Sequence, residues 1–202
     1  AQALGVLDGV TTNPSLMARE GICGTENIRN HYLAICALVD GPVSAEVLGT
    51  DYDSMIREGE ELAALHPRIV VKVPCTRDGI RAVRYFSDRE IKTNCTLIFG
   101  LGQALLAAKA GATYASPFVG RLDDIASDGV ELVRRVVEVY DYYGYSTQVI
   151  ASSIRSAQHI VQCLEAGADV ATCPLKAIEG LLDHPLTHKG VALFAEAAAR
   201  MR

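Results

Sequence analysis

A lysine stands alone in the apolar run Ile69-Val70-Val71-Lys72-Val73-Pro74. Burying an ammonium costs several kcal/mol unless it is paired or gives up its proton. Desolvation lowers a lysine's pKa by up to roughly 3–5 units when complete. A neutral amine attacks carbonyls and forms Schiff bases. Side chains alternate along a strand, so Val70, Lys72 and Pro74 share one face. The competing reading is an edge-strand lysine whose stem runs outward to water. A second lone charge, Glu46, closes the run Val43-Ser44-Ala45-Glu46-Val47. A carboxylate beside a Schiff-base lysine can hold a water and move protons; equally, Glu46 and Lys72 could form a buried ion pair.

In Lys92-Thr93-Asn94-Cys95-Thr96-Leu97, Asn94 and Thr96 share a face and can hydrogen-bond a hydroxyl or a water. Two clusters suit an anion. Ser116-Pro117-Phe118-Val119-Gly120-Arg121 sets an arginine just past a strand end, and Ser152-Ser153-Ile154-Arg155 sets hydroxyls and an arginine at a helix start. Helix N-terminal amides with arginine bind phosphate; a capped helix with a surface arginine is the alternative.

Other spacings carry less. Gly100-Leu101-Gly102 lacks the third glycine of a dinucleotide loop and reads as a turn. His184 and His188 are four apart, but Pro185 spoils a helical metal pair, so the segment reads as a polar helix start and no metal is expected. Tyr140, Tyr142, Tyr143 and Tyr145 read as packing or subunit contacts, since no basic residues interleave them.

These residues need a scaffold. Strands are expected at Gly9–Thr12, Val43–Val47, Ile69–Pro74, Lys92–Leu97, Tyr114–Phe118, Thr147–Ala151 and Val170–Pro174. Helical segments are expected at Asn27–Leu38, Asp53–Leu65, Gly79–Phe86, Gly102–Ala110, Asp128–Tyr142, Ser156–Glu165 and Leu175–Leu182. This alternation, with near-continuous apolar strands, gives a parallel sheet covered by helices. A doubly wound sheet gathers polar strand ends at one switch point. Here every strand ends in polar or turn residues, as on the C-terminal face of a (β/α)₈ TIM barrel. Seven strands are legible, so the reading is a single barrel domain over residues 1–202, with its first strand not found and expected before Ala1.

The 202 residues carry 19 basic and 24 acidic side chains, a net charge of −5, without a Lys/Arg block. Nucleic acid is therefore not an expected partner. No apolar run approaches the ~20 residues of a membrane span, and the start has no signal-peptide pattern. The six cysteines form no Cys-x-x-Cys pair and read as buried thiols of a reducing cytoplasm.

Together, Thr11-Thr12-Asn13-Pro14-Ser15, Ser44-Ala45-Glu46, Val71-Lys72-Val73-Pro74, Thr93-Asn94-Cys95-Thr96-Leu97 and Ser116-Pro117-Phe118-Val119-Gly120-Arg121-Leu122-Asp123-Asp124 resemble the transaldolase family, in its small bacterial and archaeal branch that includes the fructose-6-phosphate aldolases. The resemblance implies a (β/α)₈ barrel that moves a dihydroxyacetone unit from sedoheptulose 7-phosphate to glyceraldehyde 3-phosphate, giving erythrose 4-phosphate and fructose 6-phosphate. No metal or organic cofactor is implied. It makes Lys72 the Schiff-base lysine, with Glu46 and Thr96 positioning the catalytic water. Asn13, Asn94 and Ser116 would meet ketose hydroxyls, and Arg121, Ser153 and Arg155 the phosphate. Phe118 stands where the aldolase branch has a tyrosine, and Arg155 where it has a lysine, so transfer is expected over release of free dihydroxyacetone. A ring-shaped homo-oligomer, pentamer or decamer, is implied, built partly by the last helix. The family also has a first strand ending in a Leu-Asp-Thr-type motif whose aspartate acts on the C4 hydroxyl; Asp8 does not match it. Two other readings remain: an aldolase, and a non-catalytic barrel that binds sugar phosphates.

Overall fold

The apolar runs form parallel strands in chain order. The computed structural model describes residues 1–201. Its strands are β1 (Val10–Thr11), β2 (Val43–Glu46), β3 (Ile69–Pro74), β4 (Thr93–Ile98), β5 (Tyr114–Pro117), β6 (Gln148–Ala151) and β7 (Val170–Ala171). Between and after them lie α1 (Pro14–Arg19), α2 (Thr25–Leu38), α3 (Tyr52–Ala63), α4 (Arg77–Ser87), α5 (Leu101–Lys109), α6 (Val119–Asp123), α7 (Gly129–Tyr143), α8 (Ala157–Glu165), α9 (Leu175–Gly180) and α10 (Pro185–Arg200).

The sheet runs β1-β2-β3-β4-β5-β6-β7, every pair parallel. No strand order reverses, so there is no doubly wound switch point. The Oγ1 atoms of Thr11 and Thr172 lie 2.7 Å apart across the two ends of the sheet, which curls accordingly. This is an incomplete (β/α)₈ barrel: seven of its strands are present among the described residues.

The helix starts follow side-chain chemistry. The side chains of Asp51, Thr76, Asp128 and Ser156 accept the backbone N–H three residues on, opening α3, α4, α7 and α8. Such caps satisfy amides that the first helical turn leaves bare. Proline at the first helical position opens α1 and α10, where its missing N–H costs nothing.

Strand alternation then sorts the side chains. Val71, Val73 and Cys95 point out into the helix layer and are fully buried with Met55, Val83 and Phe86. Phe86 fits because residue 59 is glycine: a Cβ there would stand 2.3 Å from Phe86 Cζ. A smaller cluster under α2 joins Met17, Tyr32 and Cys36 to Val43, Ala45 and Ile69. The opposite parity of the same strands faces the inside of the curl, where the polar residues gather.

Candidate active site

Register brings the lone charges together. Glu46 is paired with Lys72 and Lys72 with Asn94, across β2, β3 and β4. All three project to the inside. Lys72 is 5% exposed, and its Nζ lies 3.0 Å from Glu46 Oε2 and donates to Thr12 O at 2.8 Å. The buried amine therefore has a counter-ion and a carbonyl acceptor, which offset its desolvation. Of the alternatives open from the sequence, the edge-strand lysine is excluded and the buried ion pair with Glu46 is present.

A polar network extends from this pair. Asn94 donates through Nδ2 to Ser44 Oγ at 3.1 Å and accepts through Oδ1 from Ser116 Oγ at 2.7 Å. All three are buried. The carboxamide's orientation is thereby held by hydroxyls on both neighbouring sides. Thr96 sits one inward position further along β4, opposite Pro74. Its Oγ1 is buried and has no protein partner.

Lys72, Asn94 and Ser116 line a cavity of about 130 Å³ bounded also by Thr11, Asn13, Phe118, Arg121, Ser152, Ser153 and Thr172; Thr96 is not in its lining. Residues of β1, β3, β4 and β5 meet there with residues of the segments that follow β1, β5, β6 and β7, as the C-terminal face of a barrel requires. Among the described residues no carboxylate lines it; Glu46 lines a separate cavity with Tyr32 and Leu48. Asn13 also caps α1, accepting Leu16 N–H at 2.8 Å through Oδ1, which leaves its amide nitrogen to donate. Phe118 packs on Phe99 with ring centroids 5.4 Å apart, and the Arg121 guanidinium lies 5.0 Å above the Phe118 ring. Ser153 adopts φ +60°, the left-handed region, while its carbonyl accepts Gly120 N–H at 3.2 Å. A non-glycine residue held so is strained.

Arg155 is placed differently from the rest. It does not line the cavity but makes a two-pronged ion pair with Asp124, whose hydrogen bonds hold the Asp124 carboxyl below its usual range. Gly120 packs against it, since a Cβ there would be 2.8 Å from Arg155 Nε. His184 caps α10, its Nδ1 accepting Leu186 N–H at 3.2 Å, the polar helix start read from the sequence.

Four contributors had no role assigned from the sequence. Thr12 supplies the carbonyl that holds Lys72 and Ser44 the hydroxyl that holds Asn94, and Thr11 lines the cavity; all three stood inside motifs. Thr172 lines the cavity too, and its only signal was its place in the expected strand Val170–Pro174.

A family model described as Transaldolase/Fructose-6-phosphate aldolase matches residues 1–202. The chain is 73% identical over 194 residues to a protein of Parabacteroides distasonis named "Probable transaldolase", covering 96% of this chain and 89% of that one. It is 71% identical over 196 residues to one of Porphyromonas gingivalis with the same name (97% and 89% covered), and 62% over 194 residues to one of Cytophaga hutchinsonii, also so named (96% and 89%). Among solved structures, the inosine 5′-monophosphate dehydrogenase of Legionella pneumophila aligns with a TM-score of 0.58 at 14% identity, over 85% of this chain and 59% of that chain. FabK of Thermotoga maritima aligns with 0.51 at 16% identity, over 75% and 47%. At such identities these two share the fold alone.

Proposed function

The chain belongs to the transaldolase/fructose-6-phosphate aldolase family, and we propose that it is a transaldolase that carries a dihydroxyacetone unit between sugar phosphates on Lys72. The observation that carries this is the buried Lys72 amine, 3.0 Å from a carboxylate and on the wall of a polar cavity.

Lys72 Nζ attacks the ketose C2 carbonyl. Glu46 takes the proton the attacking amine must lose and returns it as the C2 oxygen departs as water. Thr96 Oγ1, with no protein partner, is free to hold that water against Glu46. The iminium then draws electrons from the C3–C4 bond as the C4 hydroxyl gives its proton to a water, since among the described residues no carboxylate lines the cavity. An aldose leaves, and an enamine stays on Lys72 until an acceptor aldehyde arrives. Burial of Lys72 protects that enamine from early protonation. The amide nitrogens of Asn13 and Asn94 and the Ser116 hydroxyl suit the hydroxyls of the dihydroxyacetone unit. Arg121 and the Ser153 segment suit the phosphate; Arg155 joins them only by exchanging Asp124 for substrate.

Phe118 carries no hydroxyl with which to protonate the enamine and release dihydroxyacetone, which favours transfer over aldol cleavage. Fructose 6-phosphate with erythrose 4-phosphate should yield sedoheptulose 7-phosphate and glyceraldehyde 3-phosphate without free dihydroxyacetone. Free dihydroxyacetone as the main product would make the chain an aldolase instead. Binding of sugar phosphate with no product would make it a binding barrel.

We place the enzyme in the cytoplasm and in pentose phosphate metabolism; no described helix is long and apolar enough to cross a membrane. A ring-shaped homo-oligomer, pentamer or decamer, is supported by α10, whose Leu186, Val191, Leu193 and Phe194 are all exposed. Light scattering on the eluted protein tests it, and a monomeric mass would refute it.

A further inference from the structure

β4 does not run regularly to its end. Cys95 pairs with Ala115 and Ile98 with Pro117, so Thr96 and Leu97 together oppose the single residue Ser116. This is a β-bulge, a device that re-aims neighbouring side chains. Leu97 carries it at φ +58°, and among the described residues it is the one non-glycine residue of a strand with a positive φ. A bulky side chain in the left-handed region is strained and persists only where its surroundings hold it.

Gln103, half-buried in the first turn of α5, does the holding. Its Oε1 accepts Phe99 N–H at 2.9 Å, and its Nε2 reaches Leu97 O and Cys75 O, each at 3.5 Å. The reverse orientation would set the amide NH₂ against the Phe99 N–H and its oxygen against two carbonyls, so these partners fix the carboxamide. They also bracket Thr96. Leu97 follows it directly, and Cys75, just past β3, donates its own N–H to Thr96 O at 2.8 Å. Beyond the bulge, Ile98 O accepts Phe118 N–H at 3.0 Å, and Phe118 lines the polar cavity.

We propose that Gln103 is a positioning residue for the reaction: its carboxamide clamps the bulge at Leu97 and so sets the Thr96 hydroxyl. Gln103 is not in the lining of the polar cavity; it lines a separate one with Arg77, Ile80, Arg81 and Leu106. It therefore acts through Thr96 and not on the reacting atoms. The inference rests on the transaldolase reading, in which Thr96 holds the water that leaves C2. Capping alone does not account for the side chain. A glutamine at the third helical position commonly accepts an N–H ahead of the helix, and Oε1 does so. The contacts from Nε2 to two strand carbonyls satisfy no helix amide.

The variant Gln103→Glu separates the two roles. A carboxylate still accepts Phe99 N–H and suits the start of α5, but it cannot donate to Leu97 O or Cys75 O. On the full chain, fructose 6-phosphate with erythrose 4-phosphate gives kcat and KM, borohydride trapping gives the rate of adduct formation on Lys72, and urea unfolding gives stability. Gln103→Glu is expected to lower kcat and the trapping rate about ten-fold, inside the ~10²-fold that a misplacement of about 1 Å can cost, with KM for fructose 6-phosphate held. The double variant Leu97→Gly/Gln103→Glu should recover most of that loss, because glycine keeps a left-handed backbone without a clamp. Unchanged kcat in Gln103→Glu, a fall in kcat matched by an equal rise in KM, or no recovery in the double variant would overturn the proposal. If Gln103→Glu unfolds at lower urea, the double variant decides alone. A wild-type chain that forms no Lys72 adduct would overturn the transaldolase reading and this proposal with it, whereas unchanged Gln103→Glu kinetics beside an active wild type would overturn this proposal alone.

Discussion

Lys72 and Glu46 make a direct prediction about stability. Lys72→Met keeps the apolar stem and removes the charge, leaving Glu46, only 12% exposed at its side chain, without its cation. Glu46→Gln leaves Lys72 with the Thr12 carbonyl alone. Breaking one side of a buried pair costs about 3–5 kcal/mol, and the residual exposure of Glu46 favours the lower end. That is a large share of the ~5–15 kcal/mol that holds a typical domain. The double variant Lys72→Met/Glu46→Gln leaves no uncompensated charge. It should be more stable than either single variant, a coupling of about 2–3 kcal/mol. Urea unfolding by circular dichroism reads all four proteins, with similar m-values expected. Costs that add to within about 0.5 kcal/mol would refute the reasoning, because the pair would then not interact.

Further outcomes follow from packing and from the site. Phe86→Ala should cost about 3–5 kcal/mol by chemical unfolding, and Gly59→Ala, whose Cβ meets the Phe86 ring at 2.3 Å, should be better tolerated in a Phe86→Leu background than alone. Arg121→Ala should raise KM for a phosphorylated ketose about 10–100-fold, the worth of a charged hydrogen bond, with a smaller change in kcat; an unchanged KM in steady-state assays would remove Arg121 from the phosphate side. Burial pushes the Cys163 thiol up to about 11 from its ordinary 9.0, so the native state holds this proton more tightly. The stability it confers is complete below pH 9 and is lost as pH rises through 11; Cys163→Ala should flatten that part of the melting-temperature profile.

What the sequence disclosed followed the strength of each physical signal. Ile69–Pro74 was legible to the residue, because four buried apolar side chains and a half-buried proline bracket one charge. Helix starts were displaced where a cap sets them: capped by Thr76, α4 begins at Arg77, two residues before the expected Gly79. The six-residue α1 and five-residue α6 are too short for a helical period to register. The helix α10 shows no buried residue, so no core-facing stripe betrayed it. β1 and β7 were read longer than they are because only two residues of each pair with a neighbour. At the site, residue types were readable and partners were not. That Glu46 meets Lys72 depends on the β2–β3 register, and the β4–β5 register shifts between Cys95 and Ile98, where Leu97 has φ +58°. That Arg155 turns to Asp124 depends on how two separate loops pack.

The central claim is that the Lys72 amine condenses with a keto sugar inside the curl of strands. Incubation with fructose 6-phosphate, reduction with borohydride and peptide mass mapping test it at the bond itself. A stable three-carbon adduct on Lys72, absent from Lys72→Met, is the predicted result. No adduct under conditions of sugar-phosphate turnover, or an adduct confined to another lysine, would contradict it.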